Sequence, residues 1–246
     1  MRTMTKAYLN IDDIKALEQA TTNLRDRLLV RLLFHSGCRI SEALALEISD
    51  VDINAGTIRI QHLKSRLRLS CAVCGTRLGK SHTFCPKCGA AVKDAVTKAL
   101  VHRRMRLLPL DKETLEMLDE FITRGGPIKY GDKLLIFGIG RHRAWQIIKD
   151  YAVKAGLPRL VNPESGKVHN ITPHKLRDAF AVNAMKHDDS GDGLRLLQEH
   201  LGHANFNTTA KYRKVSGDEQ NDWYQKLWKS TEAKNDKGTS SEWLNH

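Results

Sequence analysis

Leu28, Leu29, Leu32 and Leu33 recur at three- and four-residue spacing, marking one face of a helix that Gly37 ends. Upstream, Asn10 is placed to cap a helix running to about Ala20. Asp12 and Asp13 lie in its first turn, where the helix dipole favours acids. Residues 41–46 read as a further helix. Ser49-Asp50-Val51-Asp52 reads as a turn before a strand around Thr57-Ile58-Arg59-Ile60, and residues 105–108 as the returning strand. Leu115, Leu118, Phe121 and Ile122 predict a helix that stops at Gly125-Gly126-Pro127. A helix from about Arg141 to Ala155 follows, and 157–171 reads as loop. Thr172-Pro173 is a helix start, with His174 and Arg177 three apart on one face of its first turn. Leu194, Leu197 and Leu201 line another helix, terminated by Gly202. Trp223, Tyr224, Leu227 and Trp228 form a stripe on a last one, before a polar tail over 231–246. The pattern predicts an α+β chain, mainly helical, with a small antiparallel sheet.

At 246 residues the chain is one large domain or two small ones. Its net charge of +12 favours a polyanionic partner. No apolar run approaches the roughly 20 residues that span a bilayer, and Met1-Arg2-Thr3-Met4 does not begin a secretory signal. Membrane insertion and secretion are therefore disfavoured, and a cytoplasmic location is the expectation. The charge is concentrated. Between Gln61 and Leu108 stand Lys64, Arg66, Arg68, Arg77, Lys80, Lys87, Lys93, Lys98, Arg103, Arg104 and Arg106, opposed only by Asp94. A solvated basic face is the bland explanation, but so lopsided a run favours an anion-binding element. Arg66, Arg68, Arg77, Lys80, Lys87, Arg103, Arg104 and Arg106 are the anion-binding candidates, gripping DNA where the polyanion is nucleic acid rather than acidic lipid, which charge alone does not separate.

The same segment holds four of the five cysteines: Cys71-x-x-Cys74-Gly75 and, after ten residues, Cys85-Pro86-Lys87-Cys88-Gly89. Each pair reads as a knuckle whose two thiolates face one ion, the glycine letting the backbone fold under it. Two knuckles supply a closed tetrahedral site for one structural Zn²⁺ per chain, with no open position for catalysis. Disulfides or four buried thiols are the alternatives, disfavoured in a chain without an export signal. The motif reads as a zinc ribbon inserted over 66–103, in the loop of the hairpin. It is too small to bury a core of its own. His82, between the knuckles, is expected at the surface.

Gly37-Cys38-Arg39-Ile40-Ser41-Glu42-Ala43-Leu44, Thr172-Pro173-His174-Lys175-Leu176-Arg177, Leu201-Gly202-His203-Ala204-Asn205 and Thr208-Thr209-Ala210-Lys211-Tyr212 together, in this order and spacing, resemble the tyrosine recombinase catalytic domain. The resemblance covers about 8–230, interrupted by the ribbon. It implies a site-specific recombinase or integrase that cleaves and rejoins duplex DNA through a 3′-phosphotyrosine at Tyr212, without ATP or a catalytic metal. Arg39 and Arg177 would clamp the scissile phosphate, because two guanidinium forks match its oxygens and keep their charge. His174 would handle protons and His203 would hydrogen-bond the phosphate. Lys64, 25 residues after Arg39, fits the family's hairpin lysine that protonates the leaving 5′-oxygen, with Lys98 as the fallback. A homo-tetramer on paired DNA sites is implied, monomeric without DNA, the tryptophan stripe being a candidate for docking between subunits.

Three departures stand out. Asp178 follows Arg177 where the family commonly has a basic group. The ribbon interrupts the hairpin that delivers Lys64. The catalytic pattern begins almost at Ala7, so the family's N-terminal DNA-clamping domain is expected either on a longer chain of which this is a piece or to be partly replaced by the ribbon. The rival readings are a nicking-closing enzyme like type IB topoisomerases and a non-catalytic zinc-ribbon DNA-binding protein.

Overall fold

The structure, a computed structural model, describes residues 6–61, 65–79, 81–92, 96–101, 105–162, 165–213 and 224; at 65–68, 96–101 and 213 it describes the backbone only. In chain order the elements are α1 (Ile11–Ala20), α2 (Leu24–His35), α3 (Ile40–Ala43), β1 (Val51–Asp52), β2 (Thr57–Gln61), β3 (Ser65–Ser70), β4 (Arg77–Leu78), β5 (Val96–Val101) and β6 (Met105–Pro109). There follow α4 (Lys112–Thr123), β7 (Ile128–Tyr130), β8 (Lys133–Leu135), α5 (Arg141–Lys154), β9 (Leu160–Val161), β10 (Val168–His169), α6 (Pro173–His187), α7 (Gly191–Leu201) and α8 (Phe206–Ala210). A 3₁₀ turn over Lys211–Arg213 carries Tyr212. No helix among the described residues is long and apolar enough to cross a membrane.

The chain divides into two compact units, residues 1–37 with 144–246 and residues 38–143. The first is helical. Asn10 caps α1 by accepting from the Asp13 backbone, and Asp13 answers onto the Asn10 amide, closing a capping box. The α2 leucines Leu28, Leu29, Leu32 and Leu33 are fully buried, as are Leu17, Ile148 and Leu176. Another cluster joins Ala181 and Met185 of α6 to Leu194, Leu197 and Leu201 of α7, with Tyr212 inside it. Gly202 ends α7 in the left-handed conformation. Thr172 stands at the N-cap of α6, but its side chain makes no capping bond, so the start rests on Pro173 and backbone geometry.

The second unit is built on the antiparallel sheet β1-β2-β6. Ile58 and Ile60 face inward while Arg59 and Gln61 face out. The register pairs Ile58 with Leu108 and Ile60 with Arg106. Arg106 therefore shares the inner face with Leu108. Beyond this hairpin β3 pairs antiparallel with β5, and β4 adds to the other edge of β3. The cysteines thus lie, in sequence, between the two long strands of this three-stranded sheet.

Several expectations change. The helix expected over 41–46 spans only Ile40–Ala43. Residues 157–171 are not all loop, because β9 and β10 pair there. A hairpin of β7 and β8 occupies 128–135, where its exposed strand positions broke the apolar alternation that signals a strand. Lys64, Lys80, Arg103, Arg104, Trp223, Leu227, Trp228 and the 231–246 tail lie outside the described residues, and Lys98, Arg66 and Arg68 have only their backbone described.

Candidate active site and cysteine centre

In the first unit, the start of α6 and the end of α7 build one hydrogen-bonded cluster. Arg177 is 1 % exposed. One terminal nitrogen donates to the Gly37 carbonyl at 2.6 Å; the other donates to the Leu201 carbonyl at 2.7 Å and meets His203 Nε2 at 3.0 Å. Gly37 matters here as glycine: its φ is +58°, and an added Cβ would strike the Phe180 ring at 2.4 Å. A guanidinium only donates, so His203 Nε2 accepts; the ring proton sits on Nδ1 and is donated to Thr209 Oγ1, 2.8 Å away. The motifs at Gly37, Arg177, His203 and Thr209 are therefore physically joined.

Replacing Arg177 with alanine should lower stability by about 2–5 kcal/mol, because two carbonyls lose a charged donor in a buried place. Urea unfolding of the variant checks this; an unchanged midpoint would show that the carbonyls find other donors.

Tyr212 is 5 % exposed, its ring stacked near His203 with 6.3 Å between centroids. Its hydroxyl donates to Asp178 Oδ1 at 2.7 Å. Asp178 therefore faces the Tyr212 hydroxyl. Burial, then the Asp178 charge and hydrogen bond, push the phenol well above its ordinary pKa. His174 Nε2 lies 3.6 Å from Asp178 Oδ1, and Lys175 Nζ 3.5 Å from Oδ2. The His174 side chain is 64 % exposed although Arg177 is buried, so the solvent boundary passes between two residues expected on one face. His174 is nonetheless shifted below its ordinary pKa: loss of surrounding water lowers it, and Asp178 opposes the fall.

In the second unit, Arg39 stands at the N-cap of α3. Its backbone N–H donates to Glu42 Oε2 and its guanidinium to Oε1, both at 2.9 Å. Arg106 donates to the same Oε2 at 2.9 Å. Glu42 is buried, and the two guanidiniums compensate its charge. The β6 alternation thus turns Arg106, a DNA-gripping candidate, onto a carboxylate. Arg77 and Lys87 are exposed. Glu42 and Asp178 are the partners that the motifs did not mark; their signal was acidity beside an expected phosphate ligand.

The four cysteine sulfurs lie within 4.8 Å of one another, with Cys71–Cys88 at 3.6 Å and Cys74–Cys85 at 3.5 Å. Disulfides, with S–S near 2.05 Å, are not formed. Tetrahedral thiolates about 2.3 Å from one zinc would stand about 3.8 Å apart, so the donor set fits that ion. Gly75 and Gly89 have φ of +70° and +69°, and each donates its N–H to the first cysteine of its knuckle. His82 donates no ligand: its Nδ1 accepts from the Gly79 amide.

The phage integrase family matches residues 7–76 and 90–219. The chain belongs to the phage integrase family. The break in the match falls inside the cysteine segment. This integrase-family chain is 29 % identical over 220 residues to tyrosine recombinase XerD of Neisseria meningitidis serogroup B, covering 86 % of this chain and 56 % of that one. It is 31 % identical over 216 residues to XerD of Corynebacterium glutamicum, covering 87 % and 57 %. The chain spans just over half the length of these curated relatives. Among solved structures its fold is similar to XerA recombinase, with TM-score 0.61 and 21 % identity over 92 % of this chain and 65 % of that one. It is also similar to XerH recombinase bound to difH substrate before cleavage, with TM-score 0.55 and 21 % identity over 85 % and 51 %. The integrase fold, helical with small antiparallel sheets, is the one expected from the sequence.

Proposed function

We propose that the chain is the catalytic part of a site-specific DNA recombinase that cuts and rejoins duplex DNA through Tyr212. The observation that carries this reading is the single cluster joining Tyr212, Asp178, Arg177, His203 and Thr209, on a chain whose relatives are recombinases. Duplex DNA is the proposed partner, as in the XerH structure bound to its substrate. Tyr212 Oη attacks phosphorus, leaving a 3′-phosphotyrosine and a 5′-hydroxyl. The phosphodiester energy stays in the covalent bond, so rejoining needs no ATP. Arg39 and Arg177 neutralise the charge that builds on the non-bridging oxygens, which is where such sites gain most. Glu42 orients Arg39, His203 bonds the phosphate once protonation of its Nε2 releases it from Arg177, His174 handles protons, and Lys64 protonates the departing oxygen, with Lys98 as the alternative.

The four cysteines hold one structural zinc, in the module over 66–103, whose exposed Arg77 and Lys87 grip DNA beside the cleavage point. Synapsis as a tetramer in the cytoplasm completes the proposal. Asp178 is the observation that favours the rival binding protein, since its carboxylate engages the Tyr212 hydroxyl that the reaction needs free.

A duplex nicked near the cleavage point separates these readings. The expected result is a protein–DNA adduct that survives denaturation, and recombinant junctions when two sites are present. No adduct on any cognate duplex would favour the binding protein; relaxation of an intact supercoiled plasmid carrying the sites, without junctions, would favour the nicking-closing enzyme.

A further inference from the structure

As Tyr212 attacks, its proton must leave; the acceptor on the hydroxyl itself is Asp178, and His174, the proton-handling candidate, stands behind it, 3.6 Å from the same carboxylate oxygen. The phenol already lies on Asp178 Oδ1 at 2.7 Å, inside the reach of a general base. His203 cannot serve in this arrangement, because Nε2 accepts from Arg177 and Nδ1 carries the ring proton toward Thr209. Both partners of the bond are held. Asp178 is fixed one residue beyond Arg177 on α6, and the Tyr212 ring packs with Ala181, Leu194, Leu197 and Leu201.

We propose that Asp178 is the catalytic base for Tyr212, taking the phenol proton in cleavage and returning it in rejoining. This rests on the recombinase reading above. In cleavage the Oη–P bond forms, the P–O5′ bond breaks, the Oη proton passes to Asp178 Oδ1, and the 5′-oxygen takes a proton from the hairpin lysine. Rejoining reverses each transfer. Attack and proton transfer together keep a phenolate from ever standing beside an ionised Asp178, so only one buried anion exists at a time. The raised pKa of Tyr212 then keeps the resting nucleophile protonated without obstructing the reaction. The groups that face this pair are His174, Lys175 and Arg177 from α6, Lys211 from the 3₁₀ turn, and Tyr8 from the chain before α1.

The test is single-turnover adduct formation by the full chain on the nicked duplex, from about pH 6 to about pH 10, the ordinary phenol value. Asp178→Asn is expected to slow cleavage about 100-fold or more at neutral pH. Its rate should climb with pH as solvent replaces the base, while the wild-type rate stays nearly flat. Asp178→Glu, which keeps a carboxylate, should recover much of the loss. A 5′-bridging phosphorothiolate, whose leaving group needs no acid, should not rescue Asp178→Asn.

Wild-type speed in Asp178→Asn overturns the proposal, as does rescue by the phosphorothiolate. A wild-type rate that itself climbs about tenfold per pH unit overturns it without any variant, should Asp178→Asn fail to fold. No adduct from the wild type is a different failure, which removes the recombinase reading itself.

Discussion

Tyr212→Phe is expected to abolish covalent capture of DNA while leaving the fold in place. Loss of a nucleophile typically costs about 10⁵-fold or more, because no neighbouring group can form the same bond. The structural cost is small by comparison. The phenylalanine ring keeps the packing with Ala181, Leu194 and Leu197, and only the bond to Asp178 disappears. One hydrogen bond to a charged group is worth about 1.5–3 kcal/mol, and Lys175 and His174 still face the carboxylate. Denaturing gels should therefore show no adduct, with a melting temperature only a few degrees lower. An adduct that persists in Tyr212→Phe would place the nucleophile on another residue. A variant that no longer folds would show that Asp178 depends on the phenol more than its neighbouring cations imply.

Much of this was legible in the sequence because local chemistry decides it. The α2 leucines, the Asn10 cap and the Gly202 stop need only neighbours within a few residues, and each stands where the pattern placed it. The knuckles were legible for the same reason: two residues between thiols and a following glycine set a turn. What the sequence hid depends on distant partners. Nothing near Asp178 says that a tyrosine 34 residues on will donate to it. Nothing near Arg106 tells that the register with Ile60 turns it inward, onto Glu42. The β9–β10 pair was missed because two-residue strands carry no period. The β3–β5 stem had a signal, the alternation Arg66-Leu67-Arg68-Leu69, but the cysteines between its strands pointed first to the metal.

Removing metal from the cysteine centre should unfold the inserted module and weaken DNA binding, without melting the helical unit. Around the sulfurs the described apolar packing is thin: Leu78 is buried, and Leu69, Ala90 and Val92 lie partly buried against the cluster. So small a core cannot offset the entropy of ordering the module. A structural zinc supplies about 10–16 kcal/mol to small domains of this kind, far more than any side chain here. Chelation, or replacing Cys85 and Cys88 with serine, should therefore make the amides of 71–92 exchange quickly with solvent, while those of α2 and α6 stay protected. Elemental analysis should find one zinc per chain. Eleven cations lie between Gln61 and Leu108, Arg106 among them being held by Glu42, and every phosphate that the protein ceases to neutralise flattens the dependence of log affinity on log salt by about 0.9. The stripped protein should thus bind more weakly and with a shallower salt slope. Unchanged slope and affinity with the metal gone would mean that the insertion does not touch DNA, and that its charges serve another partner.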